Sequence, residues 1–184
     1  MKRIILSFFV LAFPYTVMVL LYAASANYLP KDWTMFEIIG CILIAWLIGL
    51  VSAVGLMICD STPSADAYIC AKQNMLIKLL QIPAYIALFV VGSFCTMLVF
   101  TWGVTIAIII TDAMTIFLSG VAGVSSVAKC GNSGTISAGA AAWLGVSQFI
   151  YVVDVICAIA LFVQAWGQRR MENAQKINDG TEAV

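Results

Sequence analysis

From Met75 to Val127 the chain is almost continuously apolar. One helix over that run would be about 80 Å long at 1.5 Å per residue, against a hydrocarbon core of about 30 Å. The run must therefore turn back once. "FTWG", 100–103, supplies a glycine to break the helix and a tryptophan for the membrane interface. Composition agrees: 63% of the 184 residues are hydrophobic and 10% are charged, where a soluble domain has about 25% charged residues. A soluble fold of this length cannot hide that much apolar surface, whereas lipid solvates it directly. The expected fold class is all-α, a multi-pass transmembrane helical bundle.

Five spans are expected, at about 4–26, 36–58, 77–99, 104–127 and 143–166. They form one transmembrane domain over 1–167, and a polar, partly disordered tail follows at 168–184. The first run follows Lys2 and Arg3 and ends in Ala24-Ser25-Ala26, which has the form of a signal-cleavage site. Its apolar part is too long for a signal core of about 7–15 residues, so a retained helix is expected. Four spans remain if it is removed. Pro14 within it predicts a kink. Ala45, Gly49 and Ala53 recur every four residues on the second span and form a small-residue ridge for helix packing. Residues 59–74 read as a loop. The third span then opens close to Lys78, with Pro83 in its first turns. "ISAGAAA", 136–142, is too short to span and reads as an interfacial or re-entrant lead-in.

The basic residues do not orient this arrangement. With the N-terminus inside, Lys2, Arg3, Lys72, Lys78 and Lys129 lie on one side, and Lys31, Arg169, Arg170 and Lys176 on the other. The Lys2-Arg3 and Arg169-Arg170 pairs each argue for a cytoplasmic terminus, and an odd number of spans cannot satisfy both.

Several function classes are excluded or unsupported. There is no histidine, which removes the usual general base and the commonest metal ligand. No metal site and no cofactor is expected. Net charge is zero, so nothing points to nucleic acid. The six cysteines form no C-x-x-C pair. Cys41, Cys95 and Cys157 fall in apolar runs. Cys59, Cys70 and Cys130 fall in polar stretches, as free thiols or as a disulfide among them.

"KLLQIPAY", 78–85, and "GVSQFIYVVDVICAI", 145–159, resemble segments of a family of small multi-span membrane proteins from Gram-positive bacteria. The resemblance covers about Met75 to Trp166. It implies a multi-pass location in a bacterial plasma membrane and implies no activity.

Chemistry concentrates in two acids, Asp112 in the fourth expected span and Asp154 in the fifth. A central aspartate costs roughly 2.5–3.5 kcal/mol on insertion scales. No basic residue lies within either span, and Lys78 and Lys129 are expected too near the span ends to reach the midplane. Thr105, Asp112, Ser119 and Ser126 repeat every seven residues, and Thr115 and Gly123 extend their stripe. Ser147, Tyr151 and Asp154 share a second face, with Gln148 beside them. The two stripes are expected to pack together with the acids at similar depth.

Three readings fit such a site. The acids can be hydrogen-bonding groups that only pack helices. They can bind a proton or monovalent cation in a small transporter. They can also meet a basic residue of a partner subunit, or of a second copy of the chain, in an accessory or assembly role. Intramembrane aspartyl proteolysis is disfavoured, because "IIITD" and "YVVD" lack the Gly-x-Gly-Asp pattern of those enzymes. The chain is therefore not expected to be an enzyme.

Overall fold

A computed structural model describes residues 2–26, 28–30, 33–97, 102–150 and 152–178. Among them the chain is helical and contains no strand. The helices are α1 (Lys2–Ser25), α2 (Met35–Ser61), α3 (Ala67–Met97), α4 (Trp102–Asn132), α5 (Ala138–Ser147) and α6 (Val153–Asn178). Four of them, α1 to α4, are long and apolar enough to cross a membrane. The chain is a membrane protein built as a helical bundle.

The helices stack in three pairs. The α3–α4 pair forms the centre. On one side α1 packs on α2 and α3, and α2 packs on α4. Val10, Phe13 and Val17 of α1 meet Ala53 and Leu56 of α2, Ile77 of α3, and Leu118 and Ala122 of α4. Close approach is possible because Gly49 of the small-residue ridge has no side chain. A Cβ there would lie 2.8 Å from Leu118 Cδ1. Ala53 is fully buried in the same cluster, and Ala45 packs against it. On the other side α5 packs on α4, and α6 on α3. Ala71, Val127, Cys130, Leu161 and Ala165 are buried there.

Local signals set the ends. Thr34 caps α2 in a reciprocal box with Glu37, which satisfies free N–H groups of the first turn. Ser137 caps α5 by accepting from the Ala140 N–H. Between α4 and α5 the chain turns at Gly134, whose φ of 74° suits a residue without a Cβ.

One of the five expected spans differs from expectation: 143–166 is not one continuous helix. α5 ends at Ser147, residues 148–150 turn, and α6 starts at Val153. A straight α5 of ten residues covers about 15 Å, half of a bilayer core. α5 packs along α4 and α6 along α3, so the α5–α6 hairpin turns partway along the bundle and returns to the end it started from. Its tip is seated in a notch of α4. A Cβ on Gly120 would lie 2.7 Å from the Phe149 ring, and one on Gly123 would lie 2.3 Å from Gln148 Oε1. Val152, next to the turn, has φ 67°, a conformation costly for a β-branched residue.

Two further boundaries differ from expectation. The α2–α3 loop is only 62–66 rather than 59–74, and α3 begins at Ala67 rather than near 77. Lys72, Gln73 and Asn74 depress hydropathy, but lysine and glutamine are good helix formers and the helix runs through them. Pro83 consequently sits in the middle of α3, not in its first turns.

This topology places both termini of the bundle at one end. Arg3, at the start of α1, pairs with Asp60, at the end of α2. Ser125 and Ser126, near the end of α4, also donate to Asp60. Arg169 of α6 pairs with Asp66 at 3.3 Å and stacks on Tyr68 at 4.5 Å, at the start of α3.

Candidate functional site

The site grows from a stripe on α3. Asn74, Lys78, Gln81 and Tyr85 follow one another by four, three and four residues, so they share a face. All four are buried. Lys78 is 0% exposed. It lies eleven residues into α3, about 16 Å along its axis.

There the ammonium meets three acceptors. Lys78 Nζ donates to Asp154 Oδ2 at 2.7 Å, to Ser119 Oγ at 3.0 Å and to the Gln148 carbonyl at 3.4 Å. A lysine ammonium carries three donors, and each has a partner here. Asp154 is 1% exposed and sits in the first turn of α6, where free N–H groups and the helix dipole favour a carboxylate. Gln148, at the hairpin tip, is fully buried. Its Oε1 accepts from Asn74 Nδ2 at 3.4 Å and its Nε2 donates to the Leu144 carbonyl at 3.3 Å. Three elements thus hold one ion pair: α3 supplies the cation, the hairpin the anion and a carbonyl, and α4 a hydroxyl.

The pair overturns the expectation that no basic residue of the chain reaches the acids. That expectation depended on where α3 starts. With α3 opening at Ala67, Lys78 is a third of the way along the helix. The helical spacing of Asn74, Lys78, Gln81 and Tyr85 was the available signal.

The other expected residues are placed as follows. Ser119 is part of the cluster. Thr115 is fully buried, but its hydroxyl is spent on the Thr111 carbonyl of its own helix, at 2.8 Å. Tyr151 lies outside the described residues. Asp112 is not brought to Asp154. Asp154 shares its level with Ser119 through Lys78, and Asp112 is seven residues from Ser119, about 10 Å along α4. The expectation of similar depth fails because the hairpin tip stops at the Ser119 level. Asp112 is half-buried, and its Oδ1 is buried without a hydrogen-bond partner.

The polar groups thus fall in three levels along α4. Ser126 marks the Arg3–Asp60 level, Ser119 the Lys78–Asp154 level, and Asp112 the third, each about 10 Å from the next. All six cysteines are free, and Cys70 and Cys130 are buried.

The chain matches no protein-family model, no curated protein and no solved structure.

Proposed function

We propose that this protein is a small proton- or cation-linked transporter whose working site is the Lys78–Asp154 pair. The observation that carries the reading is a fully buried ion pair held at the tip of a hairpin that stops partway through the bundle. Burying two charges is costly and a hydrophobic pair of similar volume often serves stability as well. Ionisable groups inside a membrane commonly mark ion pathways and proton relays. A proton reaching Asp154 would neutralise it and release the Lys78 ammonium. The cluster would then loosen where the hairpin docks on α3 and α4. Asp112, one level away, is the natural next carboxylate toward the opposite face.

The orientation we assign puts the Arg3–Asp60 end in the cytoplasm. Lys2, Arg3, Lys72, Lys129, Arg169, Arg170 and Lys176 belong to that end, seven of the nine basic residues. Lys78 is buried, and Lys31 falls in the α1–α2 connection, outside the described residues. This is the asymmetry the positive-inside rule uses. A bacterial plasma membrane is the location we assign from the sequence resemblance.

The test is flux. In proteoliposomes carrying a pH-sensitive dye, the wild type is expected to move protons or a monovalent cation, and Asp154→Asn to abolish the movement while eluting as a folded protein. Flux that persists in Asp154→Asn overturns the reading.

A second reading, a membrane accessory subunit, is favoured by Asp112. Its Oδ1 is buried without a partner in the chain, and a separate apolar groove of about 420 Å³ lies between α3 and α6, lined by Ile82, Tyr85, Phe89, Val152 and Val155. Under this reading Asp112→Asn would release a co-purifying membrane partner and leave any flux untouched.

A further inference from the structure

Next to the Lys78 cluster, toward the Arg3–Asp60 end, lies a cavity of about 10 Å³. Arg3, Ser7, Asp60, Cys70, Gln73 and Asn74 line it. Four of its lining residues carry buried polar atoms with no hydrogen-bond partner: Arg3 Nε, Ser7 Oγ, Gln73 Oε1 and Asn74 Oδ1. Asn74 itself is 2% exposed. Orphaned polar atoms in a protein interior are costly. Here four of the residues that carry such atoms border one space.

The set has the complement of one molecule. Arg3 Nε can only donate. Gln73 Oε1 and Asn74 Oδ1 can only accept. Ser7 Oγ can do either. Water donates two hydrogen bonds and accepts two, which is the complement of these four atoms. The volume fits as well, since a space of about 10–15 Å³ by this measure holds one water given two to four polar partners. A metal cation would face the Arg3 guanidinium, and an anion would face Asp60. Neither fits the lining as water does.

The cavity also lies between two charged groups. Asp60 takes the Arg3 guanidinium on one side. On the other, Asn74 reaches past the cavity with its Nδ2 to Gln148 Oε1, and the Gln148 carbonyl accepts from Lys78. Cys70 to Lys78 is eight residues, about 12 Å along α3, which the cavity and Asn74 bridge.

We propose that this cavity is a structural water site, lined by Arg3, Ser7, Gln73 and Asn74, and the inner station of a proton path between the Arg3–Asp60 end and the Lys78–Asp154 pair. The path rests on the transporter reading; the water site does not.

Two buried thiols make the test internal. Cys70 lines the cavity, whereas Cys130 is equally buried in the apolar cluster with Val127 and Leu161. Synchrotron hydroxyl-radical labelling of the full chain in detergent oxidises side chains that touch bound water. Read by mass spectrometry, Cys70 is expected to react several-fold faster than Cys130. Ser7→Val, which fills the cavity with an apolar group, is expected to lower Cys70 to the rate of Cys130. Equal slow rates in the wild type overturn the water site, and so does labelling of Cys70 that Ser7→Val leaves unchanged. If labelling behaves as expected but Ser7→Val keeps wild-type proton flux, the path is overturned. If labelling behaves as expected and the wild type shows no flux at all, the water site stands and the transporter reading fails.

Discussion

Asp112 of α4 and Asp154 of α6 sit at different halves of the α3–α4 pair, and those halves are built differently. In the half nearest the termini, α3 and α4 are covered on both sides, by α1–α2 and by the hairpin. Asp154 there has a lysine, and the lysine has all its acceptors. In the other half the hairpin contributes only its tip, where Val152 and Val155 border a groove beside Tyr85 and Phe89. Asp112 there has a buried oxygen with no partner. A fully enclosed charge must be paired, because a lone one in low dielectric is prohibitive. A half-buried charge can remain without a partner in the chain, because water, lipid headgroups or another subunit can reach it. Depth in the sequence run does not by itself show which acid is paired; enclosure does.

The strongest way to break the comparison is to remove Lys78. Lys78→Met leaves Asp154 enclosed and unpaired, and the expected loss of stability is about 3–5 kcal/mol. The double variant Lys78→Met/Asp154→Leu removes both charges and should recover most of that loss, so the two changes are far from additive. Thermal unfolding in detergent measures all three. A single variant as stable as wild type would mean that the pair is not enclosed in the working protein.

The hairpin seat comes next. Gly123→Ala places a Cβ 2.3 Å from Gln148 Oε1, so the tip must shift, at a cost of about 1–3 kcal/mol. Gly139→Ala, in the same hairpin but with nothing within 4 Å of the added atom, should be neutral or stabilise α5 by about 0.5–1 kcal/mol. If both variants behave alike, the hairpin is not held in the α4 notch, and the covered half is no more covered than the open one.

How much of this was legible follows the same division. α4 announced its stripe, because serines and threonines in an apolar run are conspicuous, and Ser119 and Ser126 both contact charged groups. The bundle class and four of the helices followed from apolar length alone. α3 hid its stripe, because Lys72, Gln73 and Asn74 lowered the hydropathy and read as loop. Lys78 therefore looked terminal, although its spacing to Asn74, Gln81 and Tyr85 is helical. The break at 148–150 left no mark, since "GVSQFIYVVDV" contains no proline and is apolar enough to continue. It is set by tertiary contact, with Phe149 and Gln148 seated against Gly120 and Gly123, which a single helical pattern cannot display. The conflict between the two basic termini was the one visible symptom. A hairpin that returns to its own end satisfies both.

The smallest effect belongs to Asp112, and it has the opposite sign. Its carboxyl is half-buried and one oxygen is unpartnered, so Asp112→Leu removes an uncompensated polar group and adds apolar surface. Insertion scales would credit that change with up to about 3 kcal/mol at mid-bilayer. Partial exposure reduces it, and the expected gain is about 1 kcal/mol or less. The measurement is the same thermal unfolding, now without partner and in the same detergent. A gain with flux intact would make Asp112 a docking residue for something outside the chain, whereas a gain with flux lost would tie it to Asp154 as a second carboxylate on one path. A loss as large as that of Lys78→Met would mean that Asp112 is enclosed and paired after all, and the distinction between the two halves would fall.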